Sequence, residues 1–322
     1  MKSRQTSLLC LAVLLAIFAG CMQSSSKKII AVIPKGANHV FWQTVHAGAL
    51  KAASEYDLEI LWNAPQMEVD SSRQIAIVDN MISRRVDGIV LAPVDENALV
   101  AVVERAADSG IPVSIFDSAI KTEKIIAYVA TDNYQAGVMA GRRMIGILGG
   151  QGKVGVIGFM PGSASTMARE QGFLDTVDRE PRIEVLGVRY PMADRAKALA
   201  EAENMLTAHP DLAGLFADNE SSTDGTVQAV KQRGAAGRVK IVGFDASPEL
   251  VEDLKAGVID SIVVQDPFKM GYESTKAIAV HLAGGQPTET MDSGAHLLLP
   301  ENVDTPQMRE IVFPDIKKWL GN

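Results

Sequence analysis

Short apolar runs alternate with amphipathic stretches along almost the whole chain beyond its N-terminal segment. In the first cycle, the run 29–34 (IIAVIP) precedes a stretch, 41–56, that carries Phe41, Val45 and Ala49 on one helical face. Continuous apolar strands that alternate with helices are typical of parallel sheets covered by helices on both faces. The pattern therefore predicts an α/β fold.

The alternation ends once and then restarts, which predicts two lobes. The first series closes with the strand 126–132 (IAYVATD), and the second opens with 153–159 (KVGVIGF). A helix predicted over 267–282 and a late strand, 294–300, follow the second series. We therefore expect the chain to cross from the first lobe to the second near residues 131–132. The late helix and strand also allow further crossings between the lobes.

The N-terminal segment predicts an export signal. Basic residues precede an apolar run, 8–18, which is too short for a comfortable membrane span, and small residues lead to Cys21. This order resembles a bacterial lipobox, although Phe18 stands where that motif usually has a smaller aliphatic residue. We expect a signal peptide over 1–20 and a lipidated cysteine with a polar tether over 21–28. An ordinary signal peptide with an incidental cysteine is the alternative.

Charge and composition exclude several classes of function. The formal net charge of −8 argues against a nucleic-acid surface. The histidines lack metal-ligand spacing, and the mature chain would keep a single cysteine. The glycine cluster 149–155 precedes its strand, whereas a phosphate loop follows a strand and opens a helix. We therefore expect no metal, no cofactor and no nucleic acid.

Polar residues stand at the carboxyl ends of several predicted strands, where open α/β sheets bind ligands. They are Asp117, Asp132, Asn219, Asp245 and Gln265. For Asp132, and for Asp95 and Asp194 elsewhere, capping of the next helix is the preferred interpretation. Asp117 and Asp245 differ, because each directly follows a phenylalanine and a later serine is available as the cap. We predict that these two carboxylates bind a ligand.

Aromatic and cationic residues extend this candidate site. Phe41 belongs in part to the helix core, so the adjacent Trp42 must face the cleft or solvent. Arg169 lies near the start of a predicted helix, in line with its buried stripe, although a cation there opposes the macrodipole by roughly 0.3–1 kcal/mol. An aromatic face beside planar polar groups suits a sugar. A glycosidase pair formed by Asp117 and Asp245 is the catalytic alternative.

Eight motifs together resemble the periplasmic sugar-binding proteins of ABC importers, of the ribose-binding type. They are IIAVIPKGANHVFW, DGIVLAP, GIPVSIFDS, YVATDN, AREQGF, LFADNE, VGFDASPE and VVQDPFKMGY. The resemblance implies two similar doubly wound parallel-sheet lobes, joined by a three-segment hinge with the ligand cleft between them. It implies an N-terminal lobe of 29–131 plus 267–292 and a C-terminal lobe of 132–266 plus 293–322.

The same motifs imply the ligand site residue by residue. Asp117 would accept from hydroxyls, Arg169 would donate, and Phe41 with Trp42 would form an aromatic wall. The remaining members would be Asn38, His39, Asn219, Asp245 and Gln265. Ser118 departs from the arginine that ribose binders usually have there, and Ala92 replaces an asparagine, so ribose itself is in doubt.

The expected function is substrate capture without catalysis. The resemblance implies an exported, monomeric lipoprotein that closes on a sugar-like ligand and delivers it to a membrane permease. Two alternatives are open: a sensor for a sugar, nucleoside or signalling molecule that feeds a receptor, and a sugar-processing enzyme. The effector domain of LacI-type repressors shares the fold, but a signal peptide occupies the position of their DNA-binding segment.

Overall fold

A computed structural model describes residues 27–321 as two α/β lobes. The predicted signal peptide and Cys21 lie outside the described residues. The first series of elements comprises β1 (Lys28–Ile33), α1 (Val40–Glu55), β2 (Leu58–Trp62), α2 (Ser71–Arg84), β3 (Gly88–Leu91), α3 (Val100–Asp108), β4 (Val113–Phe116) and β5 (Ala127–Ala130).

The second series repeats the same alternation. It comprises α4 (Asn133–Leu148), β6 (Gly152–Ile157), α5 (Ala164–Val177), β7 (Ile183–Arg189), α6 (Arg195–Ala208), β8 (Leu212–Ala217), α7 (Glu220–Gln232), β9 (Lys240–Phe244), α8 (Pro248–Lys255) and β10 (Ser261–Gln265). The C-terminal part adds α9 (Pro267–Leu282), β11 (Thr290–Asp292), β12 (Ala295–Leu298), α10 (Pro306–Val312) and α11 (Lys317–Leu320).

The two sheets have equivalent strand orders. The first sheet runs β11-β5-β4-β3-β1-β2 and the second β12-β10-β9-β8-β6-β7. All pairs are parallel except β12, which runs antiparallel to β10. Because helices cover both faces, the strands β3 and β4 are buried along their whole length. The predicted fold of two doubly wound parallel-sheet lobes is confirmed.

The chain passes between the sheets after β5, after β10 and again between β11 and β12. β11 was not predicted, because three residues, two of them polar, carry little strand signal. The last helix also differs from expectation: residues 293–322 were assigned to the second lobe, yet α11 packs against α1 of the first. The preceding α10 buries Met308 in the second-lobe core, so the C-terminal segment contacts both lobes.

Two of the three aspartates predicted to cap helices do so. The side chains of Asp132 and Asp194 accept hydrogen bonds from the backbone of Gln135 and Lys197, as capping requires. The prediction that Asp95 caps a helix is wrong. Its carboxylate accepts from two backbone N–H groups of an intervening turn, and α3 begins only at Val100.

Glycines allow one helix pair in each lobe to approach closely. In α4, a Cβ added at Gly137 would lie 2.0 Å from the carbonyl oxygen of Arg169 in α5. In α9, a Cβ added at Gly271 would lie 2.0 Å from the carbonyl oxygen of Val45 in α1. The α4–α5 contact matters for the site, because it positions the Arg169 backbone relative to the second sheet.

We expect Gly137→Ala to lower the free energy of unfolding by about 1–3 kcal/mol, because the methyl group forces α4 and α5 apart. Gly146→Ala is the matched control in the same helix, where an added Cβ meets nothing within 4 Å. That control should be neutral or stabilising by up to about 1 kcal/mol. Urea unfolding of both variants tests the contact, and equal effects would contradict it.

Candidate functional site

A cavity lies between the two lobes, beyond the carboxyl ends of the strands. Residues of both lobes line it: Lys35, His39, Phe41, Trp42, Glu68, Asp117, Phe159, Ser165, Thr166, Arg169, Asn219, Glu220 and Asp245. Seven of the nine predicted site residues are among them, and Asn38 and Gln265 are not.

Asp117 and Asp245 occupy equivalent positions in the two lobes. Asp117 follows β4 and Asp245 follows β9, each the third strand from the β11 or β12 edge of its sheet, and each aspartate has a φ of 62°, in the left-handed region. Their backbone N–H groups donate to Val129 O and Val263 O at 3.0 and 2.9 Å. A left-handed aspartate is uncommon and is held here by these bonds. The repeated geometry brings both carboxylates to the cavity.

Asp117 forms a buried ion pair with Lys35, at 2.8 Å between Oδ2 and Nζ. The Lys35 side chain is only 4% exposed, and its Nζ also donates to the hydroxyls of Ser163 and Ser165 in the second lobe. The hydroxyl of Ser118 donates to Ser165 and accepts from its backbone N–H. Sequence reasoning missed Lys35, although it is the first ionisable residue after β1.

Arg169 is buried on the second-lobe wall of the cavity. Its Nε donates to Asn133 Oδ1 at 2.8 Å, and its Nη1 donates to the carbonyl oxygen of Asp218 at 2.9 Å. The guanidinium lies 3.9 Å above the ring of Phe244, and Nη1 lies 3.9 Å from Asp245 Oδ2. These contacts offset the unfavourable interaction of the Arg169 charge with the helix dipole. The same arginine lies beside Asp245 and lines the cavity.

Gln265 acts on the site through Asp245. Its Nε2 donates to Asp245 Oδ1 at 2.8 Å, and its own side chain lines a smaller neighbouring pocket. Burial raises the pKa of Asp245, while the charge of Arg169 and the bond from Gln265 act in the opposite direction. Gln265 therefore does not line the cavity as predicted. It contacts the carboxylate of Asp245, which does.

Asn219 lines the cavity and also caps a helix. Its Oδ1 accepts from the backbone N–H of Ser222, and α7 begins at Glu220. Its Nδ2 donates to the hydroxyl of Ser221. The side chain of Asn219 thus caps α7 and also lines the predicted site.

Phe41 and Trp42 form one wall of the cavity, as an edge-on pair whose ring centroids are 4.8 Å apart. Both side chains are buried, so Trp42 faces the cleft and not solvent. The Trp42 indole N–H donates to Glu68 Oε1 at 2.7 Å. Phe159 of the second lobe also lines this cavity. Sequence analysis did not assign Phe159 or Glu68 to the site: Phe159 ends the predicted strand 153–159 as an apolar residue, and Glu68 lies in a loop without a distinctive pattern.

His39 and Glu68 separate the cavity from an outer groove, because both residues line both spaces. Their side chains pair at 2.8 Å. Burial lowers the pKa of His39, but the bond to Glu68 and the nearby carboxylates outweigh this effect and raise it. Asn38 lines only the outer groove, which places it outside the cavity predicted for it.

Glu220 adds a buried carboxyl group at the lobe interface. Its Oε2 accepts from the backbone N–H of Phe41 in the first lobe, and its Oε1 accepts from Arg195. Burial raises the pKa of Glu220 to about 7, although the charges of His39 and Arg195 oppose the shift. Its charge therefore changes near neutral pH.

Within 27–321, no group of three or more His, Cys, Asp or Glu side chains is arranged to hold a metal ion. None of the helices in this range is long and apolar enough to cross a membrane.

We expect Lys35→Met to lower the free energy of unfolding by about 3–5 kcal/mol, because it leaves the carboxylate of Asp117 buried and unpaired. The double variant Lys35→Met/Asp117→Asn should recover much of the loss. Lys28→Met, at the other end of β1, is the control; its ion pair with Asp87 is 59% and 27% exposed and is worth less than about 1 kcal/mol. Chemical unfolding gives these values, and a small effect at Lys35 would contradict the buried pair.

Comparisons with known proteins agree with this architecture. The model of a family described as "Periplasmic binding protein domain" matches residues 30–286. A D-ribose/D-allose-binding protein of Pseudomonas aeruginosa is 31% identical over 278 residues, which span 84% of this chain and 87% of the relative.

Solved structures give the same result. An ABC transporter solute-binding protein from Agrobacterium vitis bound with α-D-tagatopyranose is 31% identical, with a TM-score of 0.86 and coverage of 90% of this chain and 100% of that one. Another from the same organism, with bound D-fucose, is 33% identical, with a TM-score of 0.86 and coverage of 88% and 100%. The resemblance found in the motifs is confirmed: the chain belongs to the periplasmic binding protein family of ABC transporter solute-binding proteins.

Proposed function

We propose that this protein captures a monosaccharide, or a related polyhydroxylated molecule, for an ABC import system. The observation that carries the proposal is the interlobe cavity, in which aromatic rings and paired charged groups meet. Family membership supports export to the periplasm and a permease as the partner. The carbohydrates bound in the similar structures, D-tagatose and D-fucose, support the class of ligand.

The charges of the cavity suit an uncharged ligand. Lys35 pairs with Asp117, His39 with Glu68, and Arg169 lies near Asp245. A phosphate or carboxylate on the ligand would bring negative charge next to these carboxylates, while the cations that could balance it are already paired. Neutral hydroxyl groups, by contrast, can accept from the cations and donate to the remaining carboxylate lone pairs.

The ligand contacts that we propose combine the two lobes. Asp117 and Asp245 would accept from hydroxyls, Arg169 and Asn219 would donate, and Phe41 with Trp42 would pack on the apolar face of the sugar. Gln265 would act by orienting Asp245. Because Ser118 supplies no charge, Lys35 takes over as the cation beside Asp117, which favours a ligand other than ribose among the candidates.

Contacts between the lobes support capture by hinge closure. Lys35 and Ser118 of the first lobe bond to Ser165 of the second, and the backbone N–H of Glu96 donates to Gly162 O at 3.0 Å. A ligand can reach the enclosed cavity only when such contacts open. We infer that the three crossover segments form the hinge and that the ligand stabilises the closed form.

The alternatives receive less support. The glycosidase predicted from sequence would use Asp117 and Asp245 as its two carboxyl groups, whereas Asp117 is paired with Lys35 and Asp245 accepts from Gln265. A sensor that feeds a receptor would use the same cavity. A neighbouring permease and ATPase gene would favour import over sensing.

We expect at least one sugar in a panel of D-ribose, D-allose, D-tagatose, D-fucose and D-arabinose to raise the melting temperature of the mature protein. Titration calorimetry of that sugar should show that Arg169→Ala weakens binding about 5- to 150-fold, because buried polar groups lose their partner. Arg182→Ala, an exposed substitution in the same lobe, is the control. Unchanged affinity in Arg169→Ala would reject the site, and turnover of the sugar would favour the enzyme.

We also propose that Cys21 carries a lipid that holds the protein at a membrane surface. The lipobox-like order before Cys21 supports this step, and one or more acyl chains supply the membrane affinity. Cys21→Ala should move the protein from the membrane fraction to the soluble fraction after cell lysis, while its sugar affinity stays the same. Wild-type protein that is already soluble would contradict the anchor.

A further inference from the structure

Two buried carboxyl groups lie behind Arg169, on the side away from the cavity. Asp218 follows β8 and has no exposed surface, and Glu170 in α5 is 4% exposed. The hydroxyl of Tyr190 donates to Glu170 Oε2 at 2.8 Å. Among the described residues, no N–H or O–H group donates to either side-chain oxygen of Asp218 or to Glu170 Oε1.

The two carboxyl groups are close enough to act on each other: Asp218 lowers the pKa of Glu170, and Glu170 raises the pKa of Asp218. Glu170 Oε1 also lies beside the backbone of Gly158, because a Cβ added there would be 2.7 Å from it. Two ionised carboxylates could not hydrogen-bond to each other, because neither has a proton to donate. One proton shared between the two groups would supply a donor to the unpartnered oxygens and avoid burying two like charges.

The pair is joined directly to the ligand site. Arg169 precedes Glu170 in α5, and the carbonyl oxygen of Asp218 accepts from Arg169 Nη1 at 2.9 Å. Asp218 therefore contacts the arginine through its main chain and Glu170 through its side chain. Any repulsion between the carboxyl groups pushes β8 and α5 apart at the point where Arg169 is held.

We propose that Glu170 and Asp218 share one proton and that this protonated pair positions Arg169 in the cavity. The pair is a positioning device, since neither carboxyl group lines the cavity. Its effect on ligand affinity rests on the proposed sugar-binding function, but the shared proton and the order of Arg169 do not.

The groups around the pair determine the direction of its pH dependence. Arg169 and Glu170 face Asp218 from α5, Tyr190 faces both carboxyl groups from beyond β7, and Asp245 faces Asp218 from beyond β9. Burial and Glu170 hold the pKa of Asp218 well above its ordinary value, and Arg169 opposes them. Burial likewise raises the pKa of Glu170. The ordered state is therefore favoured at low pH and is lost as pH rises and the shared proton leaves.

The test begins without a ligand, on the mature protein. In a Glu220→Gln background, which removes the other carboxyl group that titrates near neutral pH, infrared spectroscopy should detect a protonated carboxylic acid at neutral pH, and Asp218→Asn and Glu170→Gln should each weaken its band. Hydrogen exchange of the Arg169 Nε–H, assigned in NMR spectra with Arg169→Lys, should accelerate about tenfold or more as pH rises, beyond the intrinsic pH dependence of exchange. In Asp218→Asn this extra acceleration should disappear, because the amide donates to Glu170 at every pH.

The controls separate this device from simple packing. Asp218→Ala should lose protection of the Arg169 Nε–H throughout, whereas Glu184→Gln, an exposed substitution on β7, should behave as wild type. An acid band of unchanged intensity in both amide variants of the Glu220→Gln background would overturn the shared proton. Equal pH dependence of exchange in wild type and Asp218→Asn would overturn the positioning role.

Binding of D-allose provides the functional readout. In wild type, its dissociation constant should rise about tenfold as pH increases, and in Asp218→Asn it should not change with pH. The contribution of Glu220 to this pH dependence is measured with Glu220→Gln and subtracted. Binding with the same pH profile in both proteins would overturn the link to affinity. If D-allose binds to neither protein, that result counts against the proposed ligand class, while the infrared and exchange results still decide this inference.

Discussion

Charged side chains at the carboxyl ends of the strands leave water when the lobes meet, and each of them then needs a compensating partner. Lys35 supplies that partner to Asp117, and Arg169 with Gln265 supplies it to Asp245. Much of the site's detail follows from this requirement. It explains why the cavity is rich in charge and yet nearly balanced, and why a neutral polyhydroxyl ligand fits it better than an ion.

The two lobes meet this requirement with the same backbone device and different side chains. In both, an aspartate in the left-handed region follows the third strand from the β11 or β12 edge of the sheet, namely β4 in the first lobe and β9 in the second. The first lobe then uses a lysine from the loop after β1, whereas the second uses an arginine from the first turns of α5. The difference has a consequence: Lys35 reaches hydroxyls across the cleft, while Arg169 is held within its own lobe.

Much of the site could be read from sequence because strand ends are local features. Asp117 and Asp245 were found from their place after an apolar run, and Trp42 from its place beside a core residue. Asn38 was misplaced because loop residues have no period that fixes their direction. Asp95 was misread as a helix cap because a turn and a helix start use the same bond from a carboxylate to backbone N–H groups.

The sequence by itself determined the α/β alternation, the two lobes and the strand-end polar residues, since each depends on the period of apolar positions along a short segment. Only the tertiary structure decided which groups pair across the cleft. Lys35 and Ser163 are 128 residues apart, and Glu170 meets Asp218 only because α5 packs beside β8. Such contacts depend on how whole elements pack, and no local pattern encodes the distance between them.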